Sequence, residues 1–467
     1  MAALPLMTQF ATILRTVLLN KDMWCEILIR TPLKAYVSVQ SRRESRIAGF
    51  SIVCRILCAL TFVVPIDLSN AADWPQFLGP NRDGVYTGDD LADEWPSSGP
   101  VQLWERPIGE GYSNPIVVNG RLILFHREGN QDIVEALEAE TGKVIWSFGY
   151  TTGYRDRFGF SNGPRASPVV ADGRLYTFGA QGILHCLEFS SGRKIWSRDM
   201  HREFGVEKGF FGASGTPLID DARVFLNLGG SDGAGLVALD KNTGALLWKT
   251  GSDEASYASP VSARIDGEAV VVFLTSDGLV ITRPHNGQTL IKYPWRARSR
   301  NSVNAATPLV VGDMIFLSAS YGTGATVVRF TKVQLETIWQ SDTVLTNHYA
   351  TSVHNDGVLY GFHGRQEYSP SFRAVDLEKG KVLWNEERFG GGSVISSGGY
   401  LLILREDGEL VMAKATPESF EVVARAQILS GSVRAYPAIA NGLYYARNQE
   451  MLVCFDLKNK IINKRQP

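Results

Sequence analysis

The chain has 467 residues, more than one average domain, with 44% hydrophobic residues, 10% aromatic residues and 46 glycines. That length buries a large core, and that composition suits short strands punctuated by turns. A formal net charge of −1 excludes a global field directed at nucleic acid or an anionic membrane, so any basic site has to be local.

Residues 1–40 carry no clear pattern. Arg42, Arg43, Arg46 and Arg55 then form a positive stretch with little acid, followed by a short apolar run over 56–66 and the small-residue exit Ser69-Asn70-Ala71. That order is the order of a secretory signal cleaved after Ala71 or Ala72. A spanning helix needs about 20 apolar residues. Arg55 interrupts the stretch that approaches this length, which leaves an uncleaved anchor as the lesser alternative. Cys54 and Cys58 lack the small preceding residue of a lipidated cysteine. Only Cys186 and Cys454 remain beyond this region, with no disulfide framework and no Cys-x-x-Cys metal pair. The expected organisation is an extension and signal over 1–71, a lead-in over 72–100 and one repeat domain over 101–467, exported to the periplasm or cell envelope, with no membrane span after signal removal.

From residue 101 a phrase recurs: a small residue, an apolar residue, an acid, a turn with Gly, then an apolar strand ending in Trp. It runs Ala136-Leu137-Glu138 to Thr141-Gly142 and Trp146. It returns at Cys186-Leu187-Glu188 to Gly192 and Trp196, at Ala238-Leu239-Asp240 to Gly244 and Trp248, and at Ala374-Val375-Asp376 to Gly380 and Trp384. Degenerate copies sit at Asn286-Gly287, at Glu336 to Trp339 and near Glu421-Val422-Val423. Between them lies a second phrase, Ser/Thr-x-Pro or similar followed by two apolar runs around a Gly or Asp turn. It begins near Ser113, Ser167, Thr216, Ser259, Thr307, Thr351, Gly392 and Tyr436.

Each unit thus holds four short apolar runs, the period of a propeller blade. Asn-Gly and Asp-Gly turns between alternating runs argue for antiparallel hairpins. The expected fold is an all-β, eight-bladed propeller of four-stranded antiparallel blades. Val101-Gln102-Leu103-Trp104 ends as an outermost strand does but has no inner strands before it. The last unit, from Tyr436 to Asp456, has inner strands but no Trp strand after it. Pairing 101–106 with the last blade closes the ring and removes two open edges; the tail Lys460-Ile461-Ile462 is the competitor. Trp104, Trp146, Trp196, Trp248, Trp339 and Trp384 are read as docking residues in the seams between sheets. Cys186 and Cys454 are read as packed residues in the slot held elsewhere by Ala.

These phrases resemble the pyrroloquinoline-quinone (PQQ)-type propeller repeat, with its Ala-x-Asp-x-x-Thr-Gly-x-x-x-Trp docking motif, most closely in the copies ending at Trp146, Trp248 and Trp384. The resemblance covers roughly 101–457. The opening Trp74-Pro75-Gln76-Phe77-Leu78-Gly79-Pro80-Asn81-Arg82-Asp83-Gly84 is similar to the start of exported bacterial propellers labelled PQQ-binding-like, or likened to the lipoprotein that assists outer-membrane β-barrel assembly. Quinoprotein alcohol dehydrogenases of this repeat class carry a vicinal cysteine pair, a calcium site and a catalytic Asp. No Cys-Cys pair exists here and no Asp/Asn/Glu cluster maps onto that site, so no catalytic residue is assigned. His348, His354 and His363 are close in sequence but fall on a loop and two different strands, so no metal site is assigned either.

In such propellers the loops from one blade's outer strand to the next blade's inner strand share one face, where function tends to sit. Three of these loops are long. Residues 149–165 include Tyr154, Arg155, Arg157, Phe158, Phe160 and Arg165. Residues 199–214 include His201, Arg202, Phe204, Phe210 and Phe211. Residues 294–306 include Trp295, Arg296, Arg298, Arg300, Asn301 and Asn304. The candidate ligand-facing residues are Tyr112, Arg165, Phe211, Tyr257, Arg298, Asn304, His348 and Arg434. Arg with aromatics suits a small anionic ligand or a protein segment. The same side chains would equally serve to tie long loops together. The leading functional expectation is a non-catalytic exported propeller with a binding or assembly role in the envelope, no cofactor and no nucleic-acid partner. The alternative is a PQQ-dependent oxidoreductase with calcium. Sequencing the N-terminus of the exported protein is expected to begin at Ala72 or Asp73; intact residues 1–70 on a cytoplasmic protein would overturn the export reading.

Overall fold

The computed structural model describes residues 72–88, 91–206, 209, 211–296, 303–331 and 334–458. The expected signal, Arg298, Arg300, Asn301 and the tail 459–467 lie outside the described residues. Among the described residues no helix is long and apolar enough to cross a membrane.

Eight antiparallel sheets follow one another around a ring. Blade 1 comprises Ile116–Val118, Arg121–Glu128, Gln131–Glu138 and Val144–Thr151, from the inside out. Blades 2 to 7 repeat the plan, with innermost strands Val169–Ala171, Leu218–Asp220, Val261–Ile265, Leu309–Val311, Val353–Asn355 and Gly392–Ser397. Blade 8 takes Ala438–Ala440, Leu443–Arg447 and Met451–Asp456 from the C-terminal end and Val101–Pro107 from the N-terminal end. Trp104 faces Cys454 across that last pair. The ring is closed by the strand the repeat phase had left over.

Both turn types follow from their residues. Asn119 (φ 50°) and Gly120 (φ 70°), like Asp172 (φ 49°) and Gly173 (φ 72°), are left-handed pairs that match a hairpin's twist. In the outer turn, Asp240 Oδ1 accepts from the backbone N–H groups of Asn242 at 3.0 Å and Thr243 at 2.8 Å. Where the acid is Glu138, one methylene longer, it takes the Thr141 hydroxyl at 2.7 Å instead.

That outer turn is also the seat of the neighbouring blade's tryptophan. Each indole N–H donates to a carbonyl just after the acid position of the next blade, one residue on in five cases and two in that of Trp384. Trp104 reaches Ala139 at 3.0 Å, Trp146 reaches Phe189 at 3.1 Å, Trp196 reaches Lys241 at 3.2 Å, Trp248 reaches Pro284 at 2.9 Å, Trp339 reaches Leu377 at 2.7 Å and Trp384 reaches Thr416 at 2.8 Å. The ring of Trp146 lies over Gly192, where an added Cβ would stand 2.4 Å from it. The glycine therefore serves both the backbone turn and the indole seat.

The second phrase has an equally specific use. The backbone N–H of Ser167 donates to Thr216 Oγ1 at 3.0 Å, that of Thr216 to Ser259 Oγ at 3.0 Å, that of Ser259 to Thr307 Oγ1 at 3.3 Å and that of Thr307 to Thr351 Oγ1 at 3.0 Å. Thr351 N–H donates to the Tyr436 hydroxyl, and Tyr436 N–H to Asn114 Oδ1 at 2.7 Å. A buried relay thus links blades around the channel. Pro168, Pro217, Pro260 and Pro308, each directly after a relay Ser or Thr, have no N–H to leave unpaired.

Residues 74–86 of the lead-in occupy the channel itself. Trp74 exchanges both backbone hydrogen bonds with Val117 of blade 1 at 2.8 and 2.9 Å, and Pro75 O accepts from Val170 of blade 2 at 3.0 Å. Val85–Tyr86 then adds to blade 7 as a parallel strand against Ser396 and Ser397. Gly173→Ala and Gly192→Ala separate the two roles of these glycines. Both positions have φ near 70°, so both alanines pay the left-handed cost of about 1–2 kcal/mol. Only Gly192→Ala drives a methyl into Trp146, adding about 1–3 kcal/mol of overpacking to the loss read from denaturant midpoints. Equal losses would remove the indole seat from the account.

Candidate functional site

The loop-bearing face opens into a funnel of about 270 Å³ on the propeller axis. Tyr112, Arg165, Phe211, Tyr257, His348 and Arg434 all line it, so six of the eight expected residues converge. Asn304 stands apart. It is buried, donates to Thr275 O at 2.8 Å and Trp295 O at 3.1 Å, and borders a neighbouring cavity of about 630 Å³. Its own carbonyl accepts from the N–H groups of Tyr257 and Ala258, so it holds the loop that presents Tyr257. Arg298 lies outside the described residues.

The wall is aromatic. Phe211 packs against Phe158, Phe160 and Tyr257 with ring centroids 5.4, 6.1 and 5.5 Å away, and its N–H donates to the Tyr257 hydroxyl at 3.1 Å. Tyr112 donates to Phe160 O at 3.1 Å. Opposite them, His348 Nε2 and the Tyr321 hydroxyl are 2.8 Å apart. Burial lowers the pKa of this histidine, which favours the neutral ring. The floor is Phe77, edge-on to Tyr436 at 5.2 Å. Phe77, Tyr321, Glu367 and Tyr436 were not among the expected residues. Phe77 lies in a run recognised only as a family-like opening, and Tyr321 and Glu367 lie in loops within blades rather than between them.

The arginines differ in how their charges are used. Arg165 Nη2 donates to Asp156 Oδ2 at 3.2 Å and Ser161 O at 3.1 Å. Asp156 also accepts from the N–H groups of Phe158, Phe160 and Ser161, so this ion pair organises the 149–165 loop. Arg434 pairs with Glu406 at 3.3 Å and lies 5.9 and 5.3 Å from the ring centres of Tyr112 and Phe160. Its side chain keeps 25% exposure against 10% for Arg165, which makes it the guanidinium more open to a ligand. Glu367 is held by Arg365 at 2.9 Å. Arg155 bonds Tyr154 O and Asn130, and Arg296 pairs with Asp277 at 2.6 Å. His354 accepts from Gly357 N–H at 3.0 Å within its own turn, and His363 accepts from Thr346 N–H at 3.1 Å in the loop that leads into its blade. Among the described residues no three His, Cys, Asp or Glu side chains gather as a metal site.

A ring of four-stranded blades locked by tryptophans, with an aromatic and arginine-bearing funnel at one end, defines a PQQ-type propeller. The chain belongs to the family described as outer membrane protein assembly factor BamB, which matches residues 130–384. The BamB protein of Yersinia pestis is 22% identical over 329 residues, covering 68% of both chains. The 1-butanol dehydrogenase (cytochrome c) of Thauera butanivorans is 27% identical over 134 residues, 28% of this chain and 18% of that protein. Among solved structures, BamB from Moraxella catarrhalis superposes with a TM-score of 0.58 at 15% identity, covering 76% of this chain and 99% of that one. Quinohemoprotein alcohol dehydrogenase from Comamonas testosteroni gives 0.62 at 14% identity, covering 85% and 82%. Both structural likenesses concern the fold.

Beside the funnel, buried Asp132 accepts from the Tyr150 hydroxyl at 3.1 Å while its other oxygen has no hydrogen-bond partner. Burial pushes its pKa from 3.8 up to about 6. A carboxyl raised on folding stabilises the folded state when protonated, and that contribution is lost as pH rises through about 6. Asp132→Asn is expected to melt higher than wild type at about pH 7.5 and to lose most of the wild-type difference between about pH 5 and about pH 7.5. A wild-type melting temperature that is flat across this window would contradict it.

Proposed function

We propose that this is an exported, non-catalytic propeller of the cell envelope whose funnel holds a protein segment or a small anionic ligand in an assembly role. The observation that carries the reading is the funnel itself. Aromatic walls with Arg434 at the rim and a floor closed by Phe77 form a dead-end recess sized for a few side chains or one small molecule. Rings supply area and stacking, while a half-open guanidinium supplies forked hydrogen bonds to a carboxylate or phosphate. The assembly role rests on kinship with the BamB proteins, which extends along two thirds of the chain. Kinship with that family also supports export.

The alternative, a quinone-dependent dehydrogenase, rests on relatives that share under a third of this chain. The residues present do not fit a quinone held with calcium. Glu367, the carboxylate that lines the funnel, is already paired with Arg365, Glu406 is paired with Arg434, and the free cysteines Cys186 and Cys454 are buried in separate blades.

Capture from envelope extract tests the proposal, with wild type and Arg434→Ala compared at two salt concentrations. A discrete partner or ligand is expected on the wild type. Its affinity should fall by about 1–3 kcal/mol in Arg434→Ala, the worth of a charged hydrogen bond, and wild-type binding should weaken with salt. Melting temperature should change little in Arg434→Ala and drop in Arg165→Ala. Saturable quinone absorbance with calcium, accompanied by dye-linked alcohol oxidation, would replace this reading with the dehydrogenase.

A further inference from the structure

The lead-in is bound by the ring in the way a peptide ligand is bound. Both ends of the segment lie at the face that carries the Asn-Gly turns. Asp73 accepts from Asn119 N–H at 3.0 Å, and the Tyr86 hydroxyl accepts from Gly442 N–H at 3.0 Å. Between them the chain runs up the axis, turns, and comes back. Gly79 (φ 80°) packs on Trp74, and Gly84 N–H donates to Leu78 O at 3.0 Å to close the bend. At the top of the bend Arg82 is buried, with no carboxylate among its hydrogen-bond partners. Its Nε donates to Gln76 Oε1 at 2.8 Å within the segment. Its two amino groups donate to backbone carbonyls of blades 3 and 4: Thr216 O at 3.2 Å, Pro260 O at 2.8 Å, and Pro217 O. Those carbonyls belong to residues at the inner edge of the ring, beside the hydroxyl relay.

The ring does not need this segment to close. Closure is made by Val101–Pro107 on Met451–Asp456, the seams by the tryptophans and the inner edge by the hydroxyl relay. The segment adds main-chain pairing to exposed inner edges in blades 1, 2 and 7 and buries Trp74 and Leu78, which is the chemistry of strand addition to a sheet edge. Its hairpin path also means it can leave and re-enter through one mouth without threading a free end.

We propose that the axial channel is a peptide-binding site opening on the turn face, and that residues 73–86 are its resident ligand, held in place by a tether and exchangeable. The class of ligand it takes is an extended Trp-Pro segment that bends at glycine and carries an arginine eight residues after the tryptophan. The segment's Phe77 also forms the floor of the funnel, so the two sites meet at that residue, but the proposal does not depend on what the funnel binds.

The test keeps the whole chain. A protease site placed directly after Thr87, which is exposed, is cut in the folded protein. The released N-terminal fragment ending at Thr87 is expected to stay with the ring through gel filtration at micromolar concentration. It should then exchange with a labelled synthetic peptide of residues 72–87, followed by fluorescence anisotropy. The labelled peptide carrying R82A should bind about 100-fold more weakly, the scale of losing hydrogen bonds to a buried charged group, and the one carrying R82K should recover only part of this, since Lys lacks the fork. Three results would overturn the proposal: loss of the peptide without rebinding while the ring stays folded, equal binding of the R82A peptide, or unfolding of the ring on cutting. The last would make the segment part of the core rather than a ligand.

Discussion

Every blade of this ring ends in an innermost strand with one edge turned to the axis, and the backbone N–H and C=O groups on those edges have to be paired where eight edges meet. An unpaired buried backbone group costs about 1–3 kcal/mol. Two devices meet the constraint. Toward the funnel, hydroxyls of one blade accept the N–H of its neighbour from Ser167 through Thr351. Along the axis, residues 74–86 pair with Val117, Val170 and Ser396. Blade 7 shows how the two are joined. Tyr436 of blade 8 reaches past it to Thr351 of blade 6, and the edge of blade 7 is covered by Val85–Tyr86 instead.

The buried arginines follow from the same constraint. Arg82 and Arg447 are desolvated enough for burial to pull each pKa down to about 9, and Arg127 is lowered by burial too. All three spend their N–H groups largely on backbone carbonyls: Arg127 on Tyr154 and Asn162, Arg447 on Phe125 and Gly109, Arg82 on blades 3 and 4. A guanidinium has five donors in a fixed plane, so one side chain can tie off several irregular carbonyls at once. Arg165 does the same for its loop through Asp156, and of these described arginines Arg434 keeps part of its plane toward the funnel. Clustering of arginine in the sequence of these loops therefore has two causes, of which loop scaffolding is the commoner.

The funnel owes its shape to elements distant in the chain. Phe77 supplies the floor, Tyr112 and Phe160 one wall, Tyr321 and His348 another, and Arg434 the rim. With the floor closed, the two ends of the axis are chemically separate: an aromatic, partly charged recess on the loop face and a channel filled by the chain's own segment on the turn face. A near-neutral protein can thus carry a local cationic rim without a field around the whole molecule.

The sequence by itself determined the blades. Asn-Gly turns, the acid-to-Gly outer turn and the spacing to Trp act within or between adjacent units, so each copy states its own local geometry, and the unpaired Val101–Trp104 run was enough to imply closure. Six of the eight expected residues line one funnel because loops after outer strands must emerge on one face. What only the tertiary structure decided was which groups meet on the axis. Arg82 lies 134 residues from Thr216 and 178 from Pro260, and Tyr436 lies 85 from Thr351. No local propensity or period encodes such pairs. They arise because eight repeats are bent into a circle, which brings the first and last residues of the domain, and the starts of every inner strand, to the same line. Asn304 shows the converse: a polar residue in a functional-looking loop is drawn inward because buried carbonyls of Thr275 and Trp295 need a donor.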